Sequence, residues 1–219
     1  MAAPQTAGAG ASATTATAVA AAAAPGHVPN NRVYRVFLGW DHAVPPFVHE
    51  GVIAHLGQSP RVRSLQSFGP REMTNAVDYP DIAFQVCSNC SDQVLEDPTK
   101  NFFAANELPV GILICGSGIG MSIAANKYPG IRAALCHDYY TAHMCRKHNN
   151  ANVMCCGART TGLAVITEMI DAFLENEFAG PGKHQVRVGK IDEMDRRTHA
   201  ILSPSTTTAL AGGCASANA

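Results

Sequence analysis

Cys115 stands between an apolar run, Gly111-Ile112-Leu113-Ile114, and a glycine-rich turn, Gly116-Ser117-Gly118-Ile119-Gly120. The run has the pattern of a strand covered on both faces. Met121 to Lys127 then reads as a helix. A turn of this kind sets backbone N–H groups at the positive end of the helix dipole, which makes an anion site. A thiol there is expected to have a lowered pKa, because N–H groups and dipole both favour the thiolate.

Three chemistries compete for the segment. A dinucleotide fold wants G-x-G-x-x-G, but the third glycine falls one position early and Met121 takes the motif's last place. The acidic residue that such a fold needs about 20 residues on is met only by Asp138. A cysteine phosphatase closes its phosphate loop on an arginine, and Met121 occupies that position too. The third chemistry uses the thiol as a proton-transfer base and the turn as an oxyanion hole. Against all three stands a buried cysteine beside a tight turn.

The elements that would position this chemistry alternate between strand and helix. Strands are expected at Val33–Gly39, Arg61–Phe68, Val110–Cys115, Ile131–Cys136 and Val153–Cys156. Helices are expected at Pro45–Leu56, from Tyr79, at Tyr139–His148, Thr160–Glu177 and Val188–Ala200, with Ser91–Glu107 as an irregular excursion. Alternation with near-continuous apolar strands means an α/β fold, a three-layer α/β/α sandwich on a five-stranded parallel sheet. Ligands of such folds sit beyond the carboxyl ends of the strands. Asp41-His42 follow the first strand, Cys115 the third and His137-Asp138 the fourth, so polar chemistry gathers on one sheet edge.

Two basic stretches remain. Arg146 to Asn152 reads as a basic helix end, and as plain structure it is a C-cap. Gly182-Lys183-His184-Gln185-Val186-Arg187 is a solvated face or, beside an anion-binding turn, a phosphate clamp.

At 219 residues the chain suits one domain, residues 32–202, between tails 1–31 and 203–219 of small residues, which are expected to be disordered. A net charge of −1 gives no electrostatic case for nucleic acid or a membrane surface. No run reaches the roughly 20 apolar residues of a membrane span. Residues 1–31 lack Lys and Arg, which fits neither a secretory signal nor a transit peptide. Of the eight cysteines all but Cys214 are scattered through strand and helix contexts, as reduced thiols of an intracellular protein are. Cys87-x-x-Cys90 has no second pair, so no metal is expected. His27, His49, His55, His137, His143 and His199 are taken as surface or capped groups.

The chain resembles the type B ribose-5-phosphate isomerases, a family that includes the galactose-6-phosphate isomerase subunits. The motifs are Gly39-Trp40-Asp41-His42-Ala43, Asp78-Tyr79-Pro80-Asp81, Gly111–Lys127, Ile131-Arg132-Ala133, Arg146–Asn152, Gly157-Ala158-Arg159 and Gly182–Arg187, in that order from about Val33 to Thr198. The resemblance implies a Rossmann-like aldose–ketose isomerase of the cytoplasmic pentose phosphate pathway, without metal or cofactor. It implies a homodimer or dimer of dimers with shared active sites, and a phosphosugar as the small-molecule partner. Cys115 is implied as the base between C1 and C2, with Gly116, Gly118, Ile119 and Gly120 around the enediolate and Ser117 assisting. His148 would open the furanose ring with Asn149 beside it, Asp41 would bind sugar hydroxyls and Tyr79 would line the site. His42, Arg159, Lys183 and Arg187 take the phosphate positions. His148, Asn149 and Arg159 are implied to reach in from a partner subunit.

Several residues depart from the family pattern. Trp40 replaces a smaller residue, Pro45-Pro46 stand at a Gly-Phe step, and Pro181 is a one-residue insertion. Lys183 takes a place often held by arginine, which turns a bidentate contact into a point charge. Two alternatives stay open: an isomerase of six-carbon 6-phosphates, and a non-catalytic phosphosugar-binding homologue, against which the presence of Cys115 argues.

Overall fold

The computed structural model describes residues 32–91 and 107–202. Both tails and most of the expected 91–107 excursion lie outside the described residues. Five strands, β1 (Val33–Trp40), β2 (Val62–Phe68), β3 (Glu107–Cys115), β4 (Ala133–Leu135) and β5 (Val153–Gly157), form one sheet in the order β2-β1-β3-β5-β4. Every pairing is parallel. Six helices are described: α1 (Pro46–Gln58), α2 (Tyr79–Cys90), α3 (Ile119–Ala125), α4 (Tyr139–Asn149), α5 (Leu163–Glu175) and α6 (Lys183–Leu202). The expected three-layer α/β/α architecture is the one observed.

The period of two along β3 sorts its side chains between two cores. Val110, Ile112 and Ile114 join β1, β5, α1, α4 and α5 on one face of the sheet. Leu113 and Cys115 join α2 and α3 on the other. Each wholly buried Ile or Leu contributes about 1.5–3 kcal/mol, so the strand that carries Cys115 is firmly held.

Most elements differ from their expected bounds by a residue or two, and in four the difference has an identifiable cause. Strand β3 starts at Glu107 rather than Val110. Pro109 and a charged residue hide its beginning, yet Glu107 is held by Arg35 at 2.9 Å and pairs in register with Val33. Strand β4 is shorter than Ile131–Cys136, an edge strand of three residues. Helix α5 spans Leu163–Glu175 rather than Thr160–Glu177, because Thr160 and Thr161 are spent on a turn over Gly157. Helix α6 begins at Lys183 rather than Val188, which places the whole Lys183–Arg187 run on a helix.

Candidate active site

The chain runs from β1 to β2 on one side and returns to lay β3 on the other. The order in which strands are added therefore reverses between β1 and β3, the place where open α/β sheets bind ligands. Trp40 pairs with Ile114, so Asp41 and Cys115 leave the sheet side by side. Cys115 in turn pairs with Gly157 of β5. Asp41 is buried, its N–H donates to Ile114 O, and its Oδ1 accepts from Ala43 N–H at 3.0 Å.

The turn after Cys115 wraps back over the sulfur. Gly118 N–H donates to Cys115 Sγ at 3.1 Å, and Ile119 N–H reaches Ser117 Oγ at 3.4 Å. Gly118 makes this possible with φ +78, where a Cβ would lie 2.7 Å from the Cys156 carbonyl carbon. The backbone of Ser117 lies so close over Gly157 that a Cβ there would sit 2.5 Å from it. Two further candidate residues have defined surroundings. The Tyr79 ring, half exposed at the start of α2, covers Gly120. His42 engages Val77 O through Nδ1 at 3.2 Å, which leaves Nε2 for a ligand.

Arg159 lies beside the thiol turn of its own chain. Its N–H donates to Gly116 O at 3.0 Å, and its Cδ and Nε lie about 3.5 Å from where a Gly116 Cβ would be. Within one chain its side chain thus lies against the thiol turn. The reason is topological: Arg159 follows β5, whose carboxyl end lies beside that of β3.

His148 and Asn149 end α4, and a helix between parallel strands runs against them. Helix α4 starts at the carboxyl edge, where Asp138 caps it by accepting from Thr141 N–H at 2.7 Å. The acidic residue of the dinucleotide reading is thereby consumed as a cap. Nine residues later, roughly 14 Å along the helix axis, His148 arrives at the amino edge of the sheet. Helix α6 starts there too: Ala179 N–H donates to Lys147 O, and the His184 ring stacks on His148 at 4.0 Å between centroids. Lys183 and Arg187 flank His184 and are exposed.

One chain thus holds two separate groups, Asp41, His42, Tyr79, Cys115 to Gly120 and Arg159 at one edge, and His148, Asn149, Lys183 and Arg187 at the other. Among the described residues none of Arg159, Lys183 and Arg187 has a carboxylate partner. No group of three His, Cys, Asp or Glu among the described residues could hold a metal ion. Cys87 and Cys90 are both buried on α2, and burial pushes the Cys87 thiol up to about 12.

Two histidines escaped the sequence reading. His49 is neither surface nor capped: it is 6% exposed and stacks on Trp40 at 4.6 Å. That stack, with Trp40 Nε1 donating to Pro70 O, gives the bulky Trp40 a filled slot beneath Asp41. In the sequence His184 reads only as part of a cationic run. Its spacing to Lys183 and Arg187 becomes informative once the helix is extended, and partial burial, followed by the neighbouring His148, Lys183 and Arg187, lowers its pKa.

A family model described as Ribose/Galactose Isomerase matches residues 36–191. The chain is 35% identical to ribose-5-phosphate isomerase B of Escherichia coli over 164 residues, 74% of this chain and 97% of that one. The solved type B ribose 5-phosphate isomerase of Leishmania infantum is 41% identical with a TM-score of 0.63, covering 75% of this chain and 97% of its own. That of Trypanosoma cruzi is 43% identical with a TM-score of 0.63, covering 74% and 99%.

Proposed function

The chain belongs to the ribose/galactose isomerase family, and we propose that it interconverts D-ribose 5-phosphate and D-ribulose 5-phosphate as an isomerase of the pentose phosphate pathway in the cytoplasm. The observation that carries this reading is the placement of Cys115 Sγ. It lies at the reversal point of the sheet, beside buried Asp41, with a turn N–H aimed at it and Arg159 over the same turn.

The reaction moves a proton between C2 and C1 of an open-chain sugar. Cys115 Sγ, as thiolate, takes the C2 proton and the negative charge passes to the carbonyl oxygen O1 as an enediolate; a proton moves from the C2 hydroxyl to O1, and the proton held on sulfur returns at C1 as the C2 carbonyl forms. Two turn N–H groups already face the thiol and the Ser117 hydroxyl, so donors and base share one rigid loop. The loop Gly116, Gly118, Ile119 and Gly120 surrounds the oxyanion with no side chain larger than Ile119 in the way. Asp41 accepts from the sugar hydroxyls, and Tyr79 forms the wall over Gly120.

His148 with Asn149 opens the furanose ring before the thiol acts. His42, Arg159, Lys183 and Arg187 hold the phosphate, and this remote contact positions C2 against the base. Because His148, Asn149, Lys183 and Arg187 lie at the opposite sheet edge, the reading requires a second copy of the chain to bring them to Cys115. A homodimer, or a dimer of dimers, with each site shared between two copies meets that requirement.

The test is an isomerase assay with ribose 5-phosphate and a six-carbon 6-phosphate side by side, on the wild type and Cys115→Ala. Turnover of ribose 5-phosphate that is lost in the variant is expected. Turnover of neither sugar would leave a binding homologue, and preference for the six-carbon substrate would reassign the pocket.

A further inference from the structure

The corner that carries His148 and Asn149 is held from both sides by arginines that touch neither the thiol nor its turn. It begins as the end of α4 and turns through Asn150, a non-glycine residue at φ 49. Three of its carbonyls each accept a hydrogen bond from outside the helix or across the corner. Lys147 O accepts from Ala179 N–H, Asn150 O accepts from Arg132 Nε at 2.9 Å, and Ala151 O accepts from the Arg146 guanidinium.

Arg146 reaches its carbonyl from within the core. It is 4% exposed, its guanidinium carbon lies 5.0 Å from the Phe173 ring centroid and 5.7 Å from that of Tyr34, and its Nε has no partner among the described residues. A buried charge with one unmet donor is a costly way to end a helix that a neutral cap would also end. Its cation does match the negative end of the α4 dipole.

Arg132 reaches its carbonyl from the loop before β4 and does a second thing. Its other arm meets Asp192 Oδ1 of α6 at 3.1 Å, and its N–H donates to Asn152 Oδ1 at 2.8 Å. Asp195 of the same helix accepts from Gly130 N–H at 2.8 Å. The loop before β4 thereby ties the corner to the helix that carries Lys183 and Arg187.

We propose that Arg132 and Arg146 are positioning residues of the isomerisation, a clamp that fixes the His148–Asn149 corner, and that Arg132 also sets its distance to the phosphate-binding end of α6. The inference rests on the isomerase reading for its kinetic consequence, not for its geometry. A ring-opening group displaced by about 1 Å costs up to a hundredfold, whereas its pairing partner at the far end of the sugar tolerates more.

Arg132→Met is the central variant, because methionine keeps much of the apolar stem of a side chain that is only 10% exposed while removing its guanidinium contacts. Turnover of ribose 5-phosphate should fall about tenfold to a hundredfold. At high enzyme concentration the rate should level off at the uncatalysed rate of ring opening, as it would for His148→Asn. The inhibition constant of inorganic phosphate should rise as well. Asp192→Asn should raise the phosphate constant more than it lowers turnover, since it frees α6 but leaves Asn150 O held. Arg132→Lys, which keeps one donor, should recover part of one effect but not both. Arg146→Lys should act like Arg132→Met on turnover without moving the phosphate constant.

A folded Arg132→Met with turnover within about twofold of wild type, or with a uniform loss and no levelling-off, overturns the proposal. If the wild type does not turn over ribose 5-phosphate, the isomerase reading fails, and the clamp is then judged by NMR alone. The His148 Cε1–H signal, assigned with His148→Asn, should carry the ring-current shift of stacked His184 and lose it in Arg132→Met. An unchanged signal overturns the clamp whatever the activity.

Discussion

At the scale of single residues, the thiol is the first thing to test. Cys115→Ala removes the proposed base while its neighbours Leu113 and Ile114 keep the strand buried, so the variant should fold and still bind phosphosugar. Its turnover should drop by at least about a thousandfold, which is ~4 kcal/mol of barrier, measured against a Tm within a few degrees of wild type. His49 gives a second test, through pH. Burial lowers its pKa, and its Nδ1 has no partner among the described residues. The unfolded chain therefore binds a proton that the folded chain resists. The contribution is whole above about pH 6.5 and is lost as the pH falls through that value toward the lowered one. His49→Phe keeps the stack on Trp40 and removes the titration. Its Tm should decline less than that of wild type between about pH 7 and pH 5. A smaller decline should persist, since His143 and His184 are also lowered.

At the scale of elements, the turn between β3 and α3 depends on one backbone conformation. Gly118→Ala would put a Cβ 2.6 Å from Leu135 and 2.7 Å from the Cys156 backbone, at a φ that alanine resists. It should destabilise the fold by about 2–4 kcal/mol and move the N–H that faces Cys115 Sγ, with urea unfolding and turnover as the readouts. The same element shows what the sequence made legible. Gly-Ile-Leu-Ile-Cys followed by glycines announces a buried strand, a turn and an anion site, because hydrophobic period and glycine placement are local signals. Helix α6 was legible only in part. Its first turn, Lys183-His184-Gln185-Val186-Arg187, has no apolar repeat of its own and follows Gly180-Pro181-Gly182, which reads as loop. What fixes it as helix is tertiary: His184 on His148, and Asp192 and Asp195 on the 130–132 loop. The burial of His49 was hidden for a similar reason, since only the folded sheet brings Trp40 over α1.

At the scale of the whole molecule, two half-sites at opposite sheet edges make a prediction that no single chain can satisfy. If each site takes Cys115 from one copy and His148 from another, two inactive variants can rescue each other. In a mixed dimer of Cys115→Ala and His148→Asn, one site carries both lesions and the other carries neither. Random mixing after unfolding and refolding together should restore about a quarter of wild-type ribose 5-phosphate turnover, as expected for two symmetric sites. Arg187→Ala should also complement Cys115→Ala, because α6 starts beside His148. Arg159→Ala should not, because Arg159 hydrogen-bonds to Gly116 of its own thiol turn and every mixed site then keeps one lesion. The contrast between Arg187 and Arg159 distinguishes this division of the site from one in which Arg159 travels with His148. Recovery with Arg159→Ala would reverse the assignment. No recovery in any mixture, with dimer exchange verified by mass, would mean that each chain completes its own site.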